Sequence, residues 1–277
     1  MIEFLPVLVL VLTFVVLLII GVPVAWCIAI SSMFTLMLAM PVSAATTTVS
    51  QRIATGLDSF ALLAIPFFIL SGQIMSKGGI ANRLISFAKT LVGFLPGGLA
   101  LINIVSAMLM GAIAGSAMAS ASAMGTILGP EMEKEGYSKE FGAAVNITSS
   151  TTGLVIPPSN TLIVYSLASG GVSIAALFLA GYIPGILTGL LMMIVAMIWA
   201  KKNNYPVGKR SSLKEVFVKF IDAFPSLLLL VIVIGGIIGG IFTATEASAV
   251  AVLYTLLLSI YYKEMSFKDL PRVYWSQ

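Results

Sequence analysis

Four stretches of this sequence contain no Asp, Glu, Lys or Arg: Phe4 to Gln51, Thr90 to Pro130, Gly142 to Ala200 and Ala223 to Thr245. Each is long enough to cross a bilayer at about 20 residues per helix, and the third could cross more than once. Only 9% of the 277 residues are charged, against roughly a quarter in ordinary soluble domains. The expected fold class is therefore an all-α polytopic membrane protein. The chain has no His and a single Cys, Cys27, inside an apolar run. A disulfide framework, a thiolate metal cluster, a haem site and His-dependent catalysis are thereby removed within this sequence. An intramembrane enzyme would have serines but no base or metal to activate them, so no enzymatic activity is expected. The net charge of +4 does not point to nucleic acid, because the basic residues sit between apolar spans; the expected partner is the lipid bilayer. A cleaved signal peptide is not expected, since the first charge is Glu3 and the apolar region runs well past a signal's short core.

The order of spans follows from the breaks. Phe4 to Met40 would make about 55 Å of helix, too long for one span of a core about 30 Å thick, and Gly21-Val22-Pro23 divides it in two. A third span runs from Ser59 to Ser76. From Lys77 to Phe94, Lys77, Arg83 and Lys89 punctuate apolar Ile80, Leu84, Ile85, Phe87 and Leu91, a pattern that fits either an interfacial amphipathic helix or an ordinary loop helix. Pro96 to Pro130 is too long for one upright span and short for two, and reads as a re-entrant hairpin. A broken span over Glu140 to Ser169 follows, then spans over Ile174 to Ala200, Phe224 to Phe242 and Ala247 to Tyr262. Lys201 to Ile221, with six basic residues, is the longest polar connection. If it is cytoplasmic, a hairpin that enters and leaves on one face puts 14 of the 15 basic residues on that side and only Arg52 on the other. A complete crossing at Pro96 to Pro130 would separate Lys77, Arg83 and Lys89 from the long loop. The expected orientation is N-terminus outside and C-terminus inside.

The expected divisions are scaffold helices over 1–58, a third span and arm helix over 59–95, and a transport region over 96–200. A basic loop over 201–223 and two helices with a tail over 224–277 complete them.

Two segments carry the candidate chemistry. Gly111 to Gly125 reads GAIAGSAMASASAMG, with 12 of 15 residues Gly, Ala or Ser. Such residues let backbones approach closely. At its centre Gly115 suits the end of one half-helix and Ser116 the cap of the next. The second segment, Asn146 to Asn160, places Pro157 and Pro158 among Ser149, Ser150, Thr151, Thr152, Ser159 and Asn160 in mid-membrane. The two prolines remove the donors for the carbonyls of Gly153 and Leu154, which are expected to be freed, while Ser159 or Asn160 caps the next half-helix. Broken helices of this kind hold cations and anionic substrates in secondary transporters. Neither segment has an ionisable residue, so a proton relay lacks its groups, whereas Na⁺ needs only carbonyl, hydroxyl and amide oxygens. Glu246 is expected to cap a helix. A structural scaffold without its own ion or substrate site is the alternative, and it leaves the Pro-Pro-Ser-Asn break without a purpose.

At these residues the sequence resembles the large membrane subunit of the tripartite ATP-independent periplasmic (TRAP) transporters. The resemblance lies in Ile65 to Gly72, Gly111 to Gly125 with Pro130 and Gly136-Tyr137, and Gly153 to Asn160. It continues through Leu177 to Gly181 with Pro184-Gly185 and Phe242 to Ala247. It implies an inverted-repeat, elevator-type, Na⁺-coupled importer of organic acids in a bacterial or archaeal inner membrane. A periplasmic binding protein would deliver the substrate and a small four-helix membrane subunit would accompany the chain. It also implies a Na⁺ and adjacent substrate site at Gly115, Ser116, Ser120, Asn146, Ser150, Gly153, Pro157, Ser159 and Asn160, with no resident cofactor. Many relatives carry an acidic residue where Ser120 stands. The sequence is shorter than family members, and the last two helices read as the opening of an incomplete second repeat.

Overall fold

A computed structural model describes residues 4–265, and the basic residues Lys268 and Arg272 lie outside them. Among the described residues every regular element is helical. The first compact unit ends at Ser59 and holds α1 (Phe4–Ile19), α2 (Val24–Met37) and α3 (Val42–Leu57). The break expected at Gly21 to Pro23 is present: Gly21 takes a left-handed φ of +87°, and Pro23 stands at the N-cap of α2. Helix α1 buries none of its apolar side chains, as a lipid-facing helix should. Cys27 is fully buried and its thiol lies against the Val22 carbonyl. Helix α3 is not anticipated by the apolar pattern. Its Thr46-Thr47-Thr48 and Gln51-Arg52 lower the hydropathy, while Pro41 starts it with a pre-set φ of −56°.

The second unit begins at Phe60. A one-turn 3₁₀ segment, Phe60–Leu63, leads into α4 (Ala64–Lys77), followed by α5 (Ile80–Val92). Ile80, Ala81, Leu84, Ile85 and Ala88 form one buried face of α5, covered by α6 (Gly98–Ala114) and α11 (Leu213–Ile238). Its apolar stripe is therefore packed on protein. Arg83 pins this helix from the other side. Its guanidinium donates to Asp222 at 3.3 Å and to the Gly79 carbonyl at 3.0 Å, and lies 3.6 Å above the Tyr262 ring.

Helices α6 and α7 (Ala117–Lys134) form the hairpin. At 17 and 18 residues each reaches about 26 Å. Both of its outer ends meet the same loop. Pro96 bridges to Val207, while Tyr137 stacks on Tyr205 at 4.4 Å and the Ser138 amide donates to the Tyr205 hydroxyl at 3.3 Å. Two ends on one loop mean that the hairpin enters and leaves on one side, as the charge division requires. At this corner burial pushes the Tyr137 hydroxyl up to about 12, so it stays neutral.

Helix α8 (Lys139–Ser150) passes through a 3₁₀ turn, Thr151–Leu154, and the Pro-Pro break to α9 (Asn160–Ala168). Helices α10 (Ile174–Lys202) and α11 are spans of 29 and 26 residues, and α12 (Ala244–Tyr261) lies against α4. The basic connection differs from the sequence expectation. Lys201 and Lys202 finish α10, and Leu213 to Asp222 form the first turns of α11, so the loop itself is only 203–212. The cause is local. The Ser212 hydroxyl accepts from the Glu215 amide at 3.2 Å, and Glu215 in the first turn suits the helix dipole. Thr243 and Glu246 form a reciprocal capping box at the start of α12, the role expected for Glu246.

Candidate ion and substrate site

The hairpin tip is built by two complementary caps. Gly115 ends α6 in the left-handed region, φ +59°, where a side chain would be strained. Ser116 is the N-cap of α7, its hydroxyl accepting from the Ala119 amide at 3.4 Å. The break has the matching construction. Ser159 is the N-cap of α9, accepting from the Leu162 amide at 3.3 Å.

These two irregular segments touch. The Asn160 amide donates to the Gly115 carbonyl at 3.3 Å. A Cβ on Gly115 would lie 2.6 Å from the Pro158 carbonyl, and a Cβ on Gly111 only 2.4 Å from Gly153 Cα. Only glycine at 111 and 153 permits that approach. Small residues also seat the break from behind, since a Cβ on Gly181 of α10 would lie 2.5 Å from the Val155 carbonyl.

One expectation about the break is corrected. The Leu154 carbonyl is not freed, because the Ser159 hydroxyl donates to it. The hydroxyl of Ser159, the residue directly after the prolines, replaces the missing amide donor.

Of the nine expected site residues, Gly115, Ser116, Gly153 and Asn160 meet at the tip, with Pro157 and Ser159 shaping the break beside them. Of the other three, Ser120 and Asn146 act between helices and Ser150 bonds back within α8. Ser120 is fully buried and donates to the Ala107 carbonyl across the hairpin at 3.2 Å. Asn146 donates to the Ala121 carbonyl at 2.9 Å, and Ser150 donates to the Asn146 carbonyl at 2.7 Å.

Chemically, the tip offers oxygen and no ionisable side chain. Asn160 Oδ1 is buried without a hydrogen-bond partner, and an acceptor left so in a low dielectric costs about 1–3 kcal/mol unless a donor or cation meets it. The carbonyl end of α6 carries negative partial charge, and the amide ends of α7 and α9 carry positive partial charge. From Ser116 a cavity of about 790 Å³ extends along Ser122 and Thr126 of α7 and Gln73, Ser76 and Lys77 of α4. Gln73 Oε1 is a second buried acceptor without a partner.

Sequence reasoning passed over Asn103 in α6. It is 1% exposed, and its Oδ1 accepts from the Ser149 hydroxyl at 3.1 Å while its Nδ2 has no partner. The available signal was a lone amide in the apolar run Leu99 to Val105.

Residues 11–277 match the family model of the tripartite ATP-independent periplasmic transporter, DctM component. The chain belongs to this family. It is 55% identical over 96% of its length to the uncharacterized protein YgiK of Salmonella typhimurium, covering 61% of that protein. It is 37% identical to the C4-dicarboxylate TRAP transporter large permease protein DctM of Rhodobacter capsulatus, over 82% of this chain and 54% of that one. It is also 40% identical to the sialic acid TRAP transporter large permease protein SiaM of Vibrio cholerae, over 76% of this chain and 49% of the relative. The chain thus spans about half to three fifths of the length of the curated relatives it matches. DctM components are multi-pass membrane permeases and not enzymes.

Proposed function

We propose that this chain forms the ion-binding part of the permease of a Na⁺-coupled secondary transporter that imports organic acids. Na⁺ binds where the hairpin tip meets the break, with Asn160 Oδ1 and backbone carbonyls at the end of α6 as ligands, and Ser116 holding the tip in shape. The observation that carries this reading is the unpartnered Asn160 Oδ1, buried beside Gly115 between helix ends that no ordinary span needs. An organic anion lies in the adjoining cavity, near the amide end of α7 and within the field of Lys77. The named relatives include permeases for C4-dicarboxylates, 2,3-diketo-L-gulonate and sialic acid, all of them anionic near neutral pH, which supports a carboxylate substrate here.

The binding protein delivers substrate from the periplasm, and the small four-helix subunit completes the membrane complex. The basic end, with the 203–212 loop, faces the cytoplasm of an inner membrane, placing the N-terminus outside and the C-terminus inside. Two opposed repeats carry the site across by an elevator motion. The test is sodium-dependent uptake by the assembled transporter in proteoliposomes. Asn160→Ala and Ser116→Ala should each raise the Na⁺ concentration needed for half-maximal uptake while the protein still inserts. Unchanged sodium dependence in both would reduce the tip to a packing contact.

A further inference from the structure

A second cavity, of about 440 Å³, lies away from the hairpin tip, at the end of the molecule where α5, the start of α6 and the 203–212 loop converge. Four cations line it: Lys89 from α5, Lys209 and Arg210 from the loop, and Lys219 from α11. Two carboxylates, Glu135 and Glu215, line it as well, leaving a surplus of two positive charges. Among the described residues, no ion pair within 4.0 Å involves any of these six groups. Elsewhere on the same side the cations Arg83 and Lys139 do have carboxylate partners.

The arrangement is held in place. The Pro96 to Val207 bridge fixes the loop against the base of the hairpin, and the Arg210 guanidinium sits 5.3 Å from the centre of the Phe94 ring. Four cations without an ion-pair partner gathered around one concavity repel each other, and that repulsion is relieved by a bound anion.

We propose that this cavity binds a phosphate group, and that its source is the headgroup of an anionic phospholipid. A lipid phosphodiester carries one negative charge and free acceptor oxygens, which offsets part of the surplus and suits the donors of Lys and Arg, and free phosphate carries up to two charges. The cavity opens beside α5, at the end of a bundle whose apolar helices define where lipid headgroups lie, and basic pockets in that position recognise such headgroups. Free inorganic phosphate shares the chemistry and is the alternative source.

The test uses the assembled transporter in detergent, with its heat-denaturation midpoint followed as phosphatidylglycerol, phosphatidylcholine or inorganic phosphate is added. Phosphatidylglycerol should raise the midpoint by about 2–4 °C relative to phosphatidylcholine. The pair Lys209→Gln and Arg210→Gln should abolish that difference. Lys201→Gln with Lys202→Gln, equally basic but outside the cavity, should retain it. A rise of the same size with inorganic phosphate alone, lost in the same pair, would keep the site and assign it to the free ion. No rise with any ligand, or equal loss in both variant pairs, would overturn the proposal in favour of diffuse surface charge.

Discussion

Replacing Gly111 by Ala perturbs the account at its tightest point. The new Cβ would stand 2.4 Å from Gly153 Cα and 2.9 Å from its amide nitrogen, where ordinary contact begins near 3.4 Å. Backbone atoms cannot rotate away, so the tip and the break must part by about 1 Å. Overpacking of this kind costs about 1–3 kcal/mol. If that strain falls on the sodium-bound arrangement, the apparent Na⁺ constant should weaken by about 5- to 140-fold, at 1.4 kcal/mol per tenfold. Gly129→Ala is the internal control, because it lies on the second arm of the same hairpin with nothing within 4 Å of the added carbon. There the higher helix propensity of Ala should leave binding unchanged and stability equal or higher. The assay is a Na⁺ titration of uptake in proteoliposomes beside heat denaturation of the solubilised complex. A Gly111→Ala permease with wild-type sodium dependence and midpoint would refute the close packing of tip against break.

Ser159→Ala removes both the cap of α9 and the donor to the Leu154 carbonyl, so the midpoint should fall by the equivalent of about 1–2 kcal/mol; no fall would mean that the break is held by other contacts. Arg83→Lys keeps the charge but loses the stacking on Tyr262 and the planar guanidinium that donates to Asp222 and the Gly79 carbonyl at once. It should cost about 1 kcal/mol, discounted for partial exposure, and wild-type stability of Arg83→Lys would show that the guanidinium's own geometry is irrelevant. Single cysteines at Lys139 and Lys209, in a Cys27→Ser background, should be labelled from the same side of the membrane. Labelling from opposite sides would remove the re-entrant hairpin.

The spans and the hairpin were legible because lipid imposes a strong rule: charges mark the boundaries, and uncharged length counts the crossings. The caps at Gly115, Ser116, Ser159 and Glu246 were legible for a different reason, since each residue type satisfies a specific backbone need within three or four positions. Helix α3 was hidden because its threonines and Arg52 carry no apolar signal although the backbone after Pro41 is free to coil. The start of α11 was hidden similarly, since lysines at 214 and 219 resemble a loop until Ser212 and Glu215 are recognised as a cap. At the site, the Gly111 to Gly153 approach joins segments about 40 residues apart, and spacing alone cannot show that the two glycines face each other. Ser120, Asn146 and Ser150 were grouped with the tip by residue type. Ser120 and Asn146 Nδ2 bond carbonyls across to α6 and α7, Ser150 bonds back within α8, and Asn146 Oδ1 is buried without a partner, contacts that only three-dimensional packing makes visible.

The central claim is that the tip and the break together hold sodium. The most direct measurement is a high-resolution density map of the assembled transporter in saturating Na⁺, compared with one in which choline replaces it. The account predicts density within coordination distance of Asn160 Oδ1, beside Gly115, in sodium and none there in choline. Identical density at Asn160 in both conditions, or sodium-dependent density only elsewhere, would contradict it.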